Sequence, residues 1–475
     1  MTETEGAVTT VAEIVAYALA RAQAGETDEA LSLLHEALAS VPANAALHSA
    51  LGDIHRDLGA MDEAFRYYER ALILDPDDIS IRLNYASGLK ARGEYIRAAN
   101  MQIVLAEAVP DYLPAHVNLG NTWVDLGRLD EAVACFERAI ALEPEHPKAN
   151  FHKGLCLLQQ GRLAEGWPFY EWRWHPDISS FLPRPFPVPA WSGDDLRGRT
   201  ILLHAEQGLG DTLQFVRFVA TVLRRGAARV LVEVQPEVRG LLAQSLDGER
   251  VAVIDRGPDF PYVESLPPYD VHCPLLSLPL ALGIDLGAIP ADVPYLGAEP
   301  RLVETYTHPI AAAAATVGEG RPLKVGLVWA GGGAHDRDHL RSLCLADLAP
   351  LALVRDVLFV SLQKGPAADQ ASAPPSGMAL LTLDIDDFAD TAAIVAALDL
   401  VITVDTSVAH LAGAMARPVW VLLPLRPDWR WLENREDNPW YPTARLFRQR
   451  HRDDWTDVVA RVARQLEHVT ASPRT

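Results

Sequence analysis

The pattern of apolar and polar positions changes character near residue 200. Before it, small and apolar residues return at a fixed spacing of 34 residues, as in the unit ALHSALGDIHRDLGAMDEAFRYYERALILDPDD (46–78). After it, short apolar runs alternate with stretches of helical periodicity. The first pattern predicts repeated pairs of helices, and the second predicts parallel sheets with helices on both faces.

Three residue types mark the repeats. Within one unit, Gly52 and Tyr68 occupy positions where two antiparallel helices can approach closely, Gly59 lies in the predicted turn, and Pro76 ends the second helix. A fifth unit starts at Pro147 and gives way to EGWPFYEWRW (165–174). The markers recur at Gly25, Gly59, Gly93, Gly127 and Gly161, at Pro42, Pro76, Pro110 and Pro144, and at Ala30, Ala64, Ala98 and Ala132.

This period is similar to that of tetratricopeptide repeats, which implies an all-α solenoid with a groove for a protein segment. A scaffolding or dimerisation surface is the alternative. The aromatic residues that close the array suit a core at the domain junction, and a stacking surface for a ligand is the less favoured interpretation. They are Trp167, Tyr170, Trp172 and Trp174.

Two series of strands follow a proline-rich segment without periodicity (177–199), which predicts an extended connector. Two series imply two Rossmann-like domains that face a cleft. The predicted division is repeats 8–175, linker 176–199, an acceptor domain 200–318, and a donor domain 319–475 that ends in a closing helix. The predicted strands are Thr200–Ala205, Val230–Val234, Val251–Ile254, Val271–Cys273, Leu323–Trp329, Val357–Leu362, Leu380–Leu383, Leu400–Val404 and Val419–Leu423.

Composition narrows the function. The net charge of −21 argues against nonspecific binding of nucleic acid or of an anionic membrane. The polar, acidic start does not resemble a signal peptide, and no apolar run of about 20 residues predicts a membrane span. The scattered cysteines, without a CxxC pair, predict neither a zinc site nor disulfides and fit a reducing cytoplasm.

The stretch ILLHAEQGLGDTLQF (201–215) has the outline of a strand, a glycine turn and a helix. A dinucleotide fingerprint would need a third glycine where Leu213 stands, and Asp211 would repel a phosphate. A carboxylate at a helix start is oriented by backbone N–H groups and stays ionised, so Asp211 suits a general base. A plain helix cap is an equal alternative.

The stretch VITVDTSVAHLAGAMARPVWVLL (401–423) predicts an anion site. A buried strand ends at Asp405, a helix follows, and Thr406 and Ser407 offer hydroxyls beside the free N–H groups of the helix start. His410 lies one turn further, within reach of a phosphate or sugar. A purely structural histidine is the less favoured alternative.

Two further strand ends carry cations. In VGLVWAGGGAHDRDHLRSL (325–343), three glycines allow close approach of a ligand, and Arg337, Arg341 and Ser342 follow. In VLFVSLQKG (357–365), Lys364 is placed to neutralise a leaving phosphate. Convergence of three such strand ends in one domain favours a phosphate site over three unrelated surface features.

QGLGDTLQF followed by VDTSVAHLAGA resembles the heptosyltransferase-like branch of GT-B glycosyltransferases, over about residues 200–450. With its repeats, the whole chain is similar to bacterial repeat-bearing glycosyltransferases, some of which modify flagellin. The resemblance implies an all-α repeat solenoid followed by an α/β GT-B region.

The resemblance also implies roles. Asp211 would be the base, on an acceptor-side loop with Gln207, Gly208 and Gly210. Donor contacts would come from Asp405, Thr406, Ser407 and His410, and Lys364, Arg341 and Ser342 would lie by the leaving phosphate. No metal or cofactor is implied, and the DIDD segment (384–387) is a weak candidate for a DxD motif.

The sequence therefore predicts a cytoplasmic, inverting glycosyltransferase that moves a sugar from a nucleotide-sugar to Ser or Thr of a protein held by the repeats. The resemblance makes flagellin the expected acceptor and a CMP-linked nonulosonic acid the expected donor. An envelope polysaccharide or lipopolysaccharide transferase and a non-catalytic scaffold are the alternatives. Trp429 and Trp431 could line the nucleotide pocket or pack under the closing helix.

Overall fold

The computed structural model of the chain describes residues 10–179, 184–246, 248–256, 266–318, 320–333 and 338–471. These residues fall into two compact units, Met1–Cys156 and Leu157–Thr475. The division lies inside a helix, Pro147–Gln159. The domain boundaries expected from the sequence stay predictions.

The first unit is built of helix pairs. The five glycines spaced 34 residues apart each have a positive φ, between 71° and 87°, and lie between the two helices of a pair, as the sequence predicts. The helices are α1 (Val11–Gln23), α2 (Thr27–Ser40), α3 (Ala45–Asp57), α4 (Met61–Leu74), α5 (Ile79–Ala91), α6 (Tyr95–Ala108), α7 (Leu113–Leu126), α8 (Leu129–Leu142) and α9 (Pro147–Gln159).

Local sequence explains where these helices begin and how they pair. Asn44 and Asp78 are N-cap residues whose side chains accept from the backbone N–H of the third residue onward, at 3.0 and 2.9 Å. Gly52 lets α3 lie against Tyr68 of α4, since a Cβ there would stand 2.6 Å from the tyrosine ring. The repeated small residue is therefore required by the packing.

The second unit contains two parallel sheets. In the first, the strands β1 (Thr200–His204), β2 (Arg229–Val234), β3 (Val251–Asp255) and β4 (Val271–Pro274) stand in the order β3-β2-β1-β4. Neighbouring strands run parallel. The aliphatic side chains of these strands are mostly buried, because helices cover both faces of a parallel sheet.

The second sheet has the order β10-β9-β8-β5-β6-β7. All of its neighbouring pairs are parallel. Counted within this sheet, the order is 6-5-4-1-2-3, that of doubly wound nucleotide-binding folds. Its strands are β5 (Leu323–Val328), β6 (Val357–Ser361), β7 (Leu380–Leu381), β8 (Leu400–Val404), β9 (Val419–Leu423) and β10 (Ala444–Arg448).

Helices precede, connect and follow these strands in the second unit. The last helix supplies Val458, Val462 and Leu466 to the core of the second sheet. The α-helices of the second unit are α10 (Leu163–Tyr170), α11 (Leu209–Phe215), α12 (Val219–Arg224), α13 (Pro236–Leu246), α14 (Leu278–Leu282), α15 (Pro300–Ala314), α16 (Asp338–Arg341), α17 (Phe388–Ala397), α18 (Ser407–Ala414) and α19 (Trp455–Ala471).

The nine strands predicted from apolar runs are confirmed: two have the predicted bounds, and the other seven differ at one end by one or two residues. The strand β10 was not predicted, because its sequence ARLFR carries two arginines and lacks a continuous apolar run. It pairs with β9 on one side only. Arg445 is partly exposed at this edge, whereas Arg448 donates to the backbone carbonyls of Arg435 and Trp431. Trp167 and Tyr170 are buried in the core of the second unit, which confirms the packing interpretation for these two.

Candidate functional site

The strand order of the second sheet reverses between β5 and β8, which are neighbours. In doubly wound sheets, ligands bind in the crevice outside the carboxyl ends of two such strands. Arg341 and Ser342 follow β5, and Asp405, Thr406 and Ser407 follow β8. The topology thus places these predicted donor residues at one sheet edge.

The turn after β8 presents hydroxyl groups at a helix start. Thr406 is the N-cap residue of α18 and Ser407 is its first residue. The Thr406 hydroxyl lies 3.0 Å from that of Thr403 and does not cap the helix. Because a helix start concentrates N–H groups and partial positive charge, this turn suits an anionic ligand.

Asp405 lies among charges from other loops. The pKa of its carboxyl group is raised to about 6, first by burial and second by the negative charge of Asp428. Arg341 and Arg430 oppose that rise. The pKa of Asp405 therefore depends on charges of both the loop after β5 and the loop that carries Arg430.

The loop after β5 is closed by its own polar side chains. The N–H of Gly331 donates to the Ser342 hydroxyl at 3.0 Å, and that hydroxyl donates to Asp338 at 3.1 Å. Arg341 Nε donates to the other oxygen of Asp338 at 2.9 Å. The predicted Arg337 lies outside the described residues. Asp338 thus orients Arg341 and Ser342, both of which were predicted to contact the nucleotide-sugar.

Lys364 is held on a different loop. Its ammonium group donates to the carbonyl of Ile385. Asp387, the last residue of the DIDD segment, accepts from the N–H groups of Ala389 and Asp390 at 2.7 and 3.1 Å and so caps α17. Across the described residues, no hydrogen bond or ion pair links Lys364 to the turn after β8. The Lys364 side chain is therefore held by the loop before α17 and not by the turn after β8.

Asp211 lies in the first turn of α11. One carboxylate oxygen accepts from the N–H of Gly208, the N-cap residue, at 2.9 Å, and the other accepts from Arg430. Burial raises the pKa of Asp211, and the charge of Arg430 opposes this rise. The position is a helix cap, and it is at the same time one half of a buried ion pair.

The turn before α11 is fixed to the first sheet by Gln235. Its amide nitrogen donates to the carbonyl of Gln207 at 2.8 Å. Its amide oxygen accepts from the Thr212 hydroxyl, also at 2.8 Å. One side chain after β2 thus holds both ends of the loop that contains Gly208 and Gly210.

The helices α11 and α18 meet at Gly210. A Cβ atom on Gly210 would lie 2.8 Å from His410 Cδ2 and 3.5 Å from the Cα of Ser407. A side chain here would collide with His410, so glycine is needed for this approach. The contact brings the carboxyl edge of the first sheet to the carboxyl edge of the second, with Asp211 on one side and His410 on the other.

His410 is a buried, neutral group. Its Nδ1 lies 3.0 Å from the hydroxyl of Tyr441, and its ring stacks on Trp431 with centroids 5.4 Å apart. Burial lowers its pKa well below the usual value, and the positive charges of Arg430 and Arg217 act in the same direction. The imidazole can therefore donate or accept a hydrogen bond without carrying charge.

Arg430 is the site residue that sequence reasoning missed. It pairs with Asp211 and with Asp428, the latter at 2.7 Å, and its guanidinium lies 4.4 Å from the centroid of the Trp429 ring. Trp429 and Trp431 are 3 % and 1 % exposed, so both pack inside the site. The only indication of a role for Arg430 in the sequence was the aromatic and charged character of the segment 427–450.

A second buried ion pair lies beside the acceptor-side loop. Arg173 donates to both oxygens of Glu206, at 3.0 and 3.2 Å, and to the hydroxyl of Ser277 at 2.7 Å. Burial raises the pKa of Glu206 to about 7, although Arg173 opposes it. Glu206 immediately precedes Gln207, so this pair supports the base of the loop.

Two kinds of feature are absent from the described residues. No cluster of three or more His, Cys, Asp or Glu side chains suited to a metal ion is present there. Within the same residues, no helix combines the length and the apolar character that crossing a membrane requires.

Similarity to known proteins is clearest for the repeats. The family model for the tetratricopeptide repeat matches residues 16–79 and 117–171. The first unit carries tetratricopeptide repeats. The intervening residues 80–116 are outside the matched segments, although α5 and α6 have the positions of a further pair.

Relatives extend the comparison. The chain is 26% identical to Protein FlbA of Caulobacter vibrioides, over 96% of this chain and 84% of that protein. It is also 26% identical to Protein O-mannosyl-transferase TMTC3 of Mus musculus, over 25% of this chain and 15% of that protein. Among solved structures, a MamA chain is 26% identical, covers 33% of this chain and 94% of its own length, and has a TM-score of 0.28.

Proposed function

We propose that the protein is an inverting, metal-independent glycosyltransferase of GT-B architecture, acting from a nucleotide-sugar on Ser or Thr of a protein. The observation that carries the proposal is the close approach of Gly210 to His410 and Ser407. It joins the carboxyl edges of two parallel sheets, where doubly wound folds bind their ligands. A bisubstrate reaction needs such a shared edge.

The donor would bind at the second sheet. The start of α18, with Thr406 and Ser407, suits the phosphate of a nucleotide-sugar, and Arg341 supplies a cation beside it. Stabilising the departing nucleotide requires positive charge at the leaving oxygen. Lys364 would join them only if its bond to the Ile385 carbonyl is exchanged for a phosphate.

The acceptor hydroxyl would approach from the first sheet. Asp211 would take its proton as the oxygen attacks the anomeric carbon and the bond to the phosphate breaks, which inverts the configuration in one displacement. The raised pKa makes its carboxylate a stronger base. Because the Arg430 guanidinium donates to the Asp211 carboxylate, the acceptor hydroxyl must displace it. His410 offers a neutral hydrogen-bonding partner for the sugar.

The repeats would hold the protein acceptor, and flagellin is the acceptor to test first. The similarity to a protein named O-mannosyl-transferase agrees with a protein as the acceptor of the sugar, although the similarity spans only a quarter of this chain. A CMP-linked nonulosonic acid remains the proposed donor, and the cytoplasm the proposed location.

The test is the intact mass of flagellin and other abundant exported proteins from cells lacking the gene and complemented with variants. Wild type should restore equal sugar-sized mass increments, whereas Asp211→Asn should reduce their formation by roughly 10²–10⁴-fold. Asp347→Asn is the matched control, because Asp347 makes the same cap at an exposed position, where it accepts from the Cys344 N–H at 2.8 Å.

The outcomes separate the alternatives. Full transfer by Asp211→Asn would remove the aspartate from the role of base. Unchanged protein masses with altered lipopolysaccharide mobility would favour an envelope acceptor. Unchanged masses and lipopolysaccharide, with no binding of a nucleotide-sugar to the purified chain, would favour a scaffold.

A further inference from the structure

The repeat pattern is broken at one packing position. Tyr68 and Phe136 occupy equivalent places in their pairs and pack against Gly52 and Gly120, where a Cβ would lie 2.6 and 2.7 Å from the rings. The position between them, 34 residues from each, is Gln102. Its counterpart on the partner helix is Ala86, so this pair has neither the aromatic ring nor the glycine.

The missing ring leaves space. A cavity of about 380 Å³ adjoins Gln102 and is lined by residues of α3, α5, α6 and α7. Gln102 has no exposed surface, and neither its amide nitrogen nor its amide oxygen has a hydrogen-bond partner. A buried amide without partners is unfavourable, so the position gains stability when a group that both donates and accepts enters. Polar lining residues include Arg56, Ser87, Lys90, Asn118 and Asp125.

The charges of the lining are already balanced. Arg56 pairs with Asp53 at 2.9 Å and with Asp57 at 3.0 Å. Lys90 pairs with Asp125 at 2.8 Å. Both cations are therefore already paired with carboxylates, so an anion entering the cavity would have to displace one of these partners and would also meet the unsatisfied oxygen of Gln102. The cavity chemistry favours a neutral ligand.

We propose that this cavity binds the carboxamide side chain of an asparagine or glutamine in a protein segment held by the repeats. An amide is complementary to Gln102, because one N–H and one C=O on each group form two parallel hydrogen bonds. Because Gln102 has no exposed surface, its side chain must turn toward the cavity to meet the ligand, and an inserted side chain extends further toward it than a main-chain amide does. The inference rests on the array alone and does not require the transferase proposal.

Binding of small amide probes to the full chain tests this. Acetyl-glutamine-N-methylamide should bind saturably in ligand-observed NMR, and acetyl-alanine-N-methylamide, which has only the main-chain amides, should not compete. Acetate and inorganic phosphate should not compete either. Equal binding of the alanine probe, displacement by phosphate, or no saturable binding of the glutamine probe would each overturn the proposal.

Two variants locate the site. Gln102→Phe removes the amide and places a ring beside the cavity, so the glutamine probe should bind at least about tenfold more weakly, a loss on the scale of one hydrogen bond to a neutral group. Gln23→Phe changes an exposed glutamine of α1 and should leave binding unchanged. Unaltered binding in Gln102→Phe would place the probe elsewhere.

Stability gives an independent readout. Gln102→Leu removes the unpartnered amide without adding a ring that would meet the Cβ of Ala86, so it should unfold at a higher denaturant concentration than wild type while losing the probe. If Gln102→Phe does not fold, Gln102→Leu makes the same test without a larger side chain. Lower stability of Gln102→Leu together with retained probe binding would contradict the proposed role of Gln102.

Discussion

The clearest consequence at the scale of single residues concerns Glu206, whose pKa is raised from 4.5 to about 7, mainly by burial. A carboxyl group with a raised pKa in the folded state favours folding in its protonated form. Its contribution is present below pH 4.5 and is lost as the pH rises to about 7. We therefore expect wild type to lose up to about 3 kcal/mol relative to Glu206→Gln across that interval, since each pKa unit corresponds to about 1.4 kcal/mol.

Denaturant unfolding at a series of pH values measures this difference. Glu206→Gln will be less stable overall because Arg173 loses a buried partner, so the informative quantity is the slope with pH. Glu237→Gln, an exposed glutamate of α13, should leave the slope as it is in wild type. A constant difference between wild type and Glu206→Gln across the interval would show that Glu206 is ionised throughout.

The sequence could indicate Asp211, Thr406 and Ser407 because each stands at a strand-to-helix turn that local pattern reveals. It could not indicate Arg430 as the partner of Asp211, since 219 positions separate them and nothing local links a guanidinium to that turn. The raised pKa of Asp211 was also hidden, because burial is a property of the assembled site. The roles of these residues in a reaction stay predictions.

At the scale of elements, the packing of α18 against the chain near β10 depends on a glycine. A Cβ on Gly413 would lie 2.4 Å from ring atoms of Tyr441, whose hydroxyl also contacts His410. We expect Gly413→Ala to destabilise the second unit by about 1–3 kcal/mol, because an added methyl group overpacks a closed core. It should also weaken nucleotide-sugar binding by displacing His410.

Gly240→Ala is the matched control for that change. Gly240 lies in α13, where an added Cβ meets nothing closer than 3.5 Å, so alanine should be neutral or stabilise by about 0.5–1 kcal/mol through its helix propensity. Unfolding followed by tryptophan fluorescence compares the two. Equal stability of both variants would mean that the chain near Tyr441 shifts without cost.

Elements with a strong period were predictable, and those without one were not. The repeats reveal their helices because packing imposes the same small residues every 34 positions. The buried strands reveal themselves as aliphatic runs. The edge strand β10 was not predicted because it is flanked by β9 alone and contains two arginines among its five residues, so its sequence has the polarity of a loop. The order of strands in each sheet likewise depends on tertiary pairing.

At the scale of the whole molecule, the two compact units have separate cores, so unfolding should not be a single two-state transition. The repeats of the first unit pack mainly against their neighbours, and the cavity at Gln102 weakens one of them. We therefore expect the array to unfold at a lower denaturant concentration than the sheets.

Spectroscopy can separate the units, because only Trp123 among the eleven tryptophans precedes residue 157. In a Trp123→Phe background, fluorescence reports the second unit, whereas far-UV circular dichroism also reports the helices of the first. Dichroism should begin to fall before fluorescence changes. Gln102→Leu should shift only the early step upward, and Gly413→Ala should shift only the fluorescence transition downward. Coincident curves that move together in both variants would instead mean that the two units unfold as one cooperative structure.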